Sequence, residues 1–181
     1  MHKSVMIALG EVGYLEKQTP YQLDEKHANP GDENYTKYAR DMAAHLGFYR
    51  GNKQGLPWCD VFVDWCFVQA YGVIAGRKLL CQPILSRGAG CRYSYGYYQE
   101  AGRLATEPRE GDQIFFQREG KICHTGLVTE VDGSRVYTVE GNTSGEAGIV
   151  ANGGCVARKS YDLNDLGIAG YGRPDYAAVG E

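Results

Sequence analysis

After Pro108 the apolar residues of this chain change period, and that change sets most of what the chain can fold into. Ahead of it, in CDVFVDWCFVQAYG, Cys59, Phe62, Val63, Cys66, Phe67 and Ala70 recur at the 3.6-residue spacing of one helix face. Pro57 stands just before this run and Gly72 ends it, so it is the strongest helix signal in the chain. Beyond Pro108, DQIFFQ, HTGLVTEV, RVYTVEG and CVARKSY alternate instead, with turn signals at Gly111, at Asp132-Gly133-Ser134 and at Gly153-Gly154. Helices followed by alternating strands predict an α+β domain, with N-terminal helices packed on a C-terminal antiparallel β-sheet.

The other elements are weaker. Ser4 reads as the N-cap of a short helix carrying Val5, Ile7, Ala8, Leu9 and Val12, and residues 34–45 as a second helix closed by Gly47. Residues 50–58, RGNKQGLPW, form a loop, 73–92 are irregular, and 97–104 form a short fourth helix. DYAAVGE after Pro174 reads as a frayed end or the start of a linker. The expected organisation is therefore one domain over residues 1–176 and a tail at 177–181.

With 181 residues and 43% hydrophobic side chains the chain can bury one domain core. A net charge of -3 lacks the basic footprint of a nucleic-acid binder, so no nucleic-acid partner is expected. The apolar stretch from Val5 stops at Gly10 and Glu11, which is too short for a membrane span or an ordinary signal peptide, so no membrane partner is expected either. Fourteen Tyr and 25 Gly suit a groove for a polar polymer, and equally a loop-rich α+β domain.

Cysteines stand at 59, 66, 81, 91, 123 and 155 with no CxxC pair, which excludes a thioredoxin-type motif and leaves no paired zinc spacing. No metal or cofactor is expected. Cys59 lies where the RGNKQGLPW loop meets the long helix, and a helix N-terminus lowers a thiol's pKa, so Cys59 is the candidate nucleophile. Cys66, two turns on, reads as core. His124 opens an apolar strand and is the candidate base. Glu140 and Asn142 end the next strand on one face, where either could accept an imidazole N–H and fix the ring. Asp60 and Asp64 read as a solvated helix face, with Asp60 pointing away from the cleft. Trp58 and the aromatic run Tyr93, Tyr95, Tyr97 and Tyr98 are candidate substrate contacts, against local packing as the plainer reading.

PWCDVFVDWCF at 57–67, GDQIFF at 111–116, HTGLVTEVDGSRVYTVEGNTS at 124–144 and IAGYGRPDY at 168–176, in that order, resemble the CHAP family of cysteine- and histidine-dependent amidohydrolases and peptidases. The resemblance implies a papain-like fold, with Cys59 as nucleophile, His124 as base and then acid, Glu140 as orienting group and Asn142 as a supporting polar residue. It also implies peptidoglycan as the partner, cleaved as an N-acetylmuramoyl-L-alanine amidase or a peptide-crosslink endopeptidase. The implied setting is a phage endolysin catalytic domain, held in the host bacterial cytoplasm until lysis, with a C-terminal cell-wall-binding module as companion. A bacterial autolysin or conjugation-type hydrolase shares that chemistry; a catalytically silent wall-binding module would lack Cys59, His124 or Glu140. Calcium, which some relatives bind ahead of the cysteine, is not expected, because RGNKQGLPW has no acidic residue.

Overall fold

In the computed structural model, which describes residues 1–150 and 152–181, four helices precede a six-stranded sheet. The helices are α1 (Lys3–Gly10), α2 (Lys37–Ala44), α3 (Cys59–Leu79) and α4 (Cys91–Glu100). The strands are β1 (Leu104–Ala105), β2 (Gln113–Arg118), β3 (Lys121–Asp132), β4 (Arg135–Thr143), β5 (Cys155–Asp162) and β6 (Ile168–Gly172), and a 3-10 turn, Tyr176–Val179, closes the chain. The sheet runs β1-β6-β2-β3-β4-β5, antiparallel throughout, which is the α+β arrangement that the change of period predicts. Its last strand is inserted between the first and the second.

The helix α3 organises the core. It packs against α1, α2, β3 and β4, and every residue from Cys59 to Val68 is buried, so the first half of the helix is enclosed on all sides, while beyond Val68 it meets solvent at Gln69, Gly72, Ile74 and Lys78. Its length and apolar composition would suffice to cross a membrane, but here they serve burial inside a protein. Phe115, Leu127 and Val139 face this helical layer. The alternating positions Ile114, Phe116, Val128 and Val136 join Tyr161 and Tyr171 in a second buried cluster on the other face of the sheet.

Boundaries moved where glycine or packing overrode the local pattern. Gly72 leaves helical geometry (φ 77°), but the chain re-enters a helix as far as Leu79 rather than stopping. The fourth helix begins at Cys91, six residues before the expected start, and Leu104 lies in β1. Ser4 sits inside α1 behind His2, and its hydroxyl meets the Tyr176 hydroxyl at 3.2 Å instead of capping the helix. In α2 the cap is Thr36, whose hydroxyl accepts the Ala39 N–H.

The tail is tied down. Tyr176 stacks on His2 with ring centroids 3.5 Å apart and donates its hydroxyl to the Gly111 carbonyl. Glu181 accepts from the Tyr71 hydroxyl at 2.7 Å and pairs with Lys3 and His2, so the last residue reaches α1 and α3.

Candidate active site

Two irregularities in the sheet lie beside the candidate residues. Between β2 and β3, Phe116 pairs with His124 and Gln117 with Ile122, so Cys123 is an extra, unpaired residue. Between β4 and β5 the register shifts again between Glu140 and Thr143, where Asn142 takes a left-handed φ of 54°. Such bulges re-aim the side chains on either side of them. Asparagine tolerates that backbone better than most residues.

His124 and Glu140 meet. The imidazole Nε2 lies 2.9 Å from Glu140 Oε2, and neither side chain is exposed to solvent. The other carboxylate oxygen accepts from the Thr138 hydroxyl at 2.6 Å and from the Tyr161 hydroxyl at 2.9 Å, so the group that grips the imidazole is itself gripped. Burial and the adjacent Glu140 carboxylate push the Tyr161 phenol up, which keeps it a donor. Phe116 stacks on the His124 ring from the neighbouring strand. Glu140 reaches His124 by leaning over Gly126, where an added Cβ would stand 2.5 Å from Glu140 Cγ. The remaining nitrogen, His124 Nδ1, is buried and has no hydrogen-bond partner. Leaving such an atom unpaired costs about 1–3 kcal/mol, so it calls for an explanation.

Asn142 and Gly141 join this strand end to the start of α3. With its amide oriented to suit both neighbours, Asn142 accepts from the Trp58 backbone N–H at 3.2 Å and donates to the Gly153 carbonyl. A Cβ on Gly141 would come within 2.6 Å of Phe62 and 2.8 Å of the Trp58 ring, so only glycine lets β4 lie this close to the first turn of α3.

Cys59 is the first residue of α3 and lines a cleft of about 290 Å³ with Pro57, Gly90, Cys91, Arg92, Tyr93 and Cys123. Its thiol faces Cys91 and makes no hydrogen bond to His124. The Cys91 thiol, then burial, hold the Cys59 thiol well above its ordinary range, and the Asp60 carboxylate adds to this; only the Asp60 N–H pulls it down. This overturns the expectation of a lowered thiol pKa: the helix terminus acts, but burial and a neighbouring thiol outweigh it. Cys66 is buried as expected.

Asp60 and Asp64 depart furthest from the sequence reading. Both are wholly buried instead of forming a solvated face, because the first half of α3 is enclosed. Asp60 accepts from Ser94 at 2.9 Å and from Gln113 at 3.2 Å, and Gln113 also donates to Thr125. It thereby ties α3 to α4 and to β2 beside the cleft. Asp64 accepts from Tyr49 and Gln82. Burial pushes Asp60 up to about 6 and, helped by the Asp60 charge, drives Asp64 well above the usual carboxylate range.

The aromatic candidates divide. Trp58 lies in the core with no exposed surface, donates to Glu16 at 2.7 Å and stacks on Tyr38, so it does not face the cleft. Tyr98 is likewise buried, and Tyr95 packs edge-on against Phe115. Tyr97 is half-buried, and its hydroxyl accepts from the Arg87 N–H at 3.4 Å. Of the four, Tyr93 lines the cleft. Cys91, Arg92, Thr138 and Tyr161 belong to the site without having been singled out from the sequence. Thr138 alone left a trace there, as a polar residue two positions before Glu140 on the same strand face. A larger groove of about 670 Å³, between Tyr71–Leu79 and the closing turn, contains no histidine or cysteine. Among the described residues no cluster of three or more His, Cys, Asp or Glu is arranged to hold a metal ion.

The family model described as "CHAP domain" matches residues 51–142, half of the chain, from the loop before Cys59 to Asn142. A solved structure titled "The crystal structure of Ly7917" is 16% identical with a TM-score of 0.45, covering 76% of this chain and 60% of that one. This chain thus spans less than two thirds of that protein's length. No curated protein matches.

Proposed function

Because the chain belongs to the CHAP domain family, whose activity is hydrolysis of peptidoglycan, we propose that Cys59 is its nucleophile, His124 its base and Glu140 the group that orients the base. The observation that carries this reading is the half-used imidazole: Nε2 held by a carboxylate that is itself fixed by Thr138 and Tyr161, and Nδ1 buried without a partner. Buried polar side-chain atoms are in the large majority paired. A base awaiting a proton keeps one free.

In the reaction proposed, the Cys59 thiol gives up its proton to His124 Nδ1, which requires the two side chains to come together, since the thiol rests against Cys91. The thiolate attacks the amide carbonyl carbon, and the charge that builds on oxygen is met by backbone N–H groups at the start of α3, that of Cys59 among them. Glu140 stabilises the imidazolium and keeps its plane. The imidazolium then protonates the leaving amine, and the C–N bond breaks to leave a thioester on Cys59. Water, deprotonated by His124, cleaves the thioester and returns the thiol.

The bond cut is that of an N-acetylmuramoyl-L-alanine amidase or of a crosslink endopeptidase. The setting proposed is a phage endolysin that leaves the host cytoplasm at lysis and works beside a wall-binding module; a bacterial autolysin or conjugation-type hydrolase, which would share the four sequence blocks, is the second reading, and flanking genes separate the two. The decisive test is release of soluble fragments from purified Gram-positive walls by the protein and by Cys59→Ala. Fragments from the first and none from the second support the proposal. Equal release by both, or none from any wall, defeats it, and mass spectrometry of the fragments identifies the bond.

A further inference from the structure

One guanidinium on the wall of the Cys59 cleft, that of Arg92, and a second, that of Arg87, meet on Tyr93, and among the described residues neither makes an ion pair. Arg92, in the first turn of α4, lines the cleft beside Tyr93; its guanidinium lies 4.7 Å from the centre of the Tyr93 ring and donates to the phenol oxygen at 2.8 Å. Arg87 approaches the same ring at 5.3 Å and the same oxygen at 3.3 Å. One neutral phenol thus holds two like charges. Among the described residues, Arg40, Arg103 and Arg173 are paired with aspartates; Arg87 and Arg92, like the other arginines, make no ion pair, and what sets them apart is that they converge on one ring.

The surroundings make this corner more positive. Helix α4 opens behind Gly90 with no side-chain cap, so its N-terminal end adds a partial positive charge to the wall that carries Arg92. On another wall, the charge of Arg118 reaches the Cys123 thiol. Asp60, which packs under α4, is wholly buried and committed to Ser94 and Gln113, so it does not pair with the arginines. The backbone here has little room: a Cβ on Gly88 would stand 2.3 Å from the Tyr49 ring, and one on Gly90 would stand 2.9 Å from Tyr93. Converging, unpaired guanidiniums match the planar, bidentate geometry of a carboxylate.

We propose that Arg87 and Arg92, gathered on Tyr93, form a subsite for a free carboxylate of the peptide substrate, so that stems carrying a carboxylate near the scissile amide are taken in preference to stems in which it is amidated. This rests on the hydrolase reading above and adds the chemical class of stem that the cleft selects. The arginines bind and position the substrate; they take no part in bond making.

The test uses matched synthetic stem peptides that differ only in a free carboxylate or a primary carboxamide on the residue next to the cleavage point. Binding is measured by calorimetry on Cys59→Ala, and cleavage on the unaltered protein. The carboxylate peptide should bind at least tenfold more tightly, and adding Arg87→Gln with Arg92→Gln should bring the two peptides to parity. Equal binding of both peptides before the arginines are changed, or a preference that survives their loss, overturns the subsite. A binding preference without cleavage of either peptide would uphold the subsite while defeating the hydrolase reading, so the two failures are distinguishable.

Discussion

His124 Nε2 and Glu140 Oε2 stand 2.9 Å apart with both side chains sealed from solvent. Glu140→Gln keeps the shape and an oxygen for Thr138 and Tyr161, but it presents an N–H to His124 and so drives the imidazole proton to Nδ1, the nitrogen that must be free. The expected outcome is a loss in kcat of roughly 10³- to 10⁴-fold with KM little changed, as for a triad whose orienting carboxylate becomes an amide. Steady-state kinetics on solubilised wall decides it. A kcat within a few-fold of the parent would remove Glu140 from its assigned role.

The Cys59 thiol is raised first by Cys91 and then by burial. In the resting protein, iodoacetamide should therefore modify Cys59 only at a pH above that of ordinary thiols, and Cys91→Ala should move the profile to lower pH. Peptide mapping by mass spectrometry separates Cys59 from the other five cysteines. An identical profile in the two proteins would discount Cys91 as the cause.

Asp60, lifted to about 6 by burial, binds its proton more tightly in the folded chain than in the unfolded one. Stability from this source is fully present below the ordinary aspartate value near 4, and is lost as pH rises through about 6. The span is about two pH units, on the order of 3 kcal/mol. Asp60→Asn lacks this titration, so the advantage of the parent over the variant in urea unfolding should be larger at pH 5 than at pH 8. A gap that is the same at both would contradict the buried-carboxylate account.

Much of this was legible in the sequence for a physical reason. Cys59 sits at the junction of a loop and a strong helix, and the strands bearing His124 and Glu140 alternate cleanly, so local periodicity already assigned each residue to its element. Asp60 and Asp64 were misread because periodicity reports the neighbours along a helix, and it cannot show that Ser94, Gln113, Tyr49 and Gln82 arrive from elsewhere to meet two carboxylates. Trp58 was misassigned for the same reason: next to a nucleophile it reads as a substrate contact, but the indole turns into the core to reach Glu16. The extension past Gly72 and the early start of α4 follow from packing, which overrides a single glycine and an irregular stretch. The pairing of Arg87 with Arg92 on one ring left no mark at all, since they are five positions apart across a loop and a helix start.

The place of β6 between β1 and β2 bears on how such a chain is made. During synthesis, β2 to β5 leave the ribosome with one edge of β2 unfilled, and the strand that covers it is the last of the six to emerge. A product cut short before Ile168 would carry the whole candidate triad and still present a bare row of N–H and C=O groups along β2, ready to pair with another nascent chain. Premature termination in this gene should therefore yield aggregates and not a smaller working enzyme.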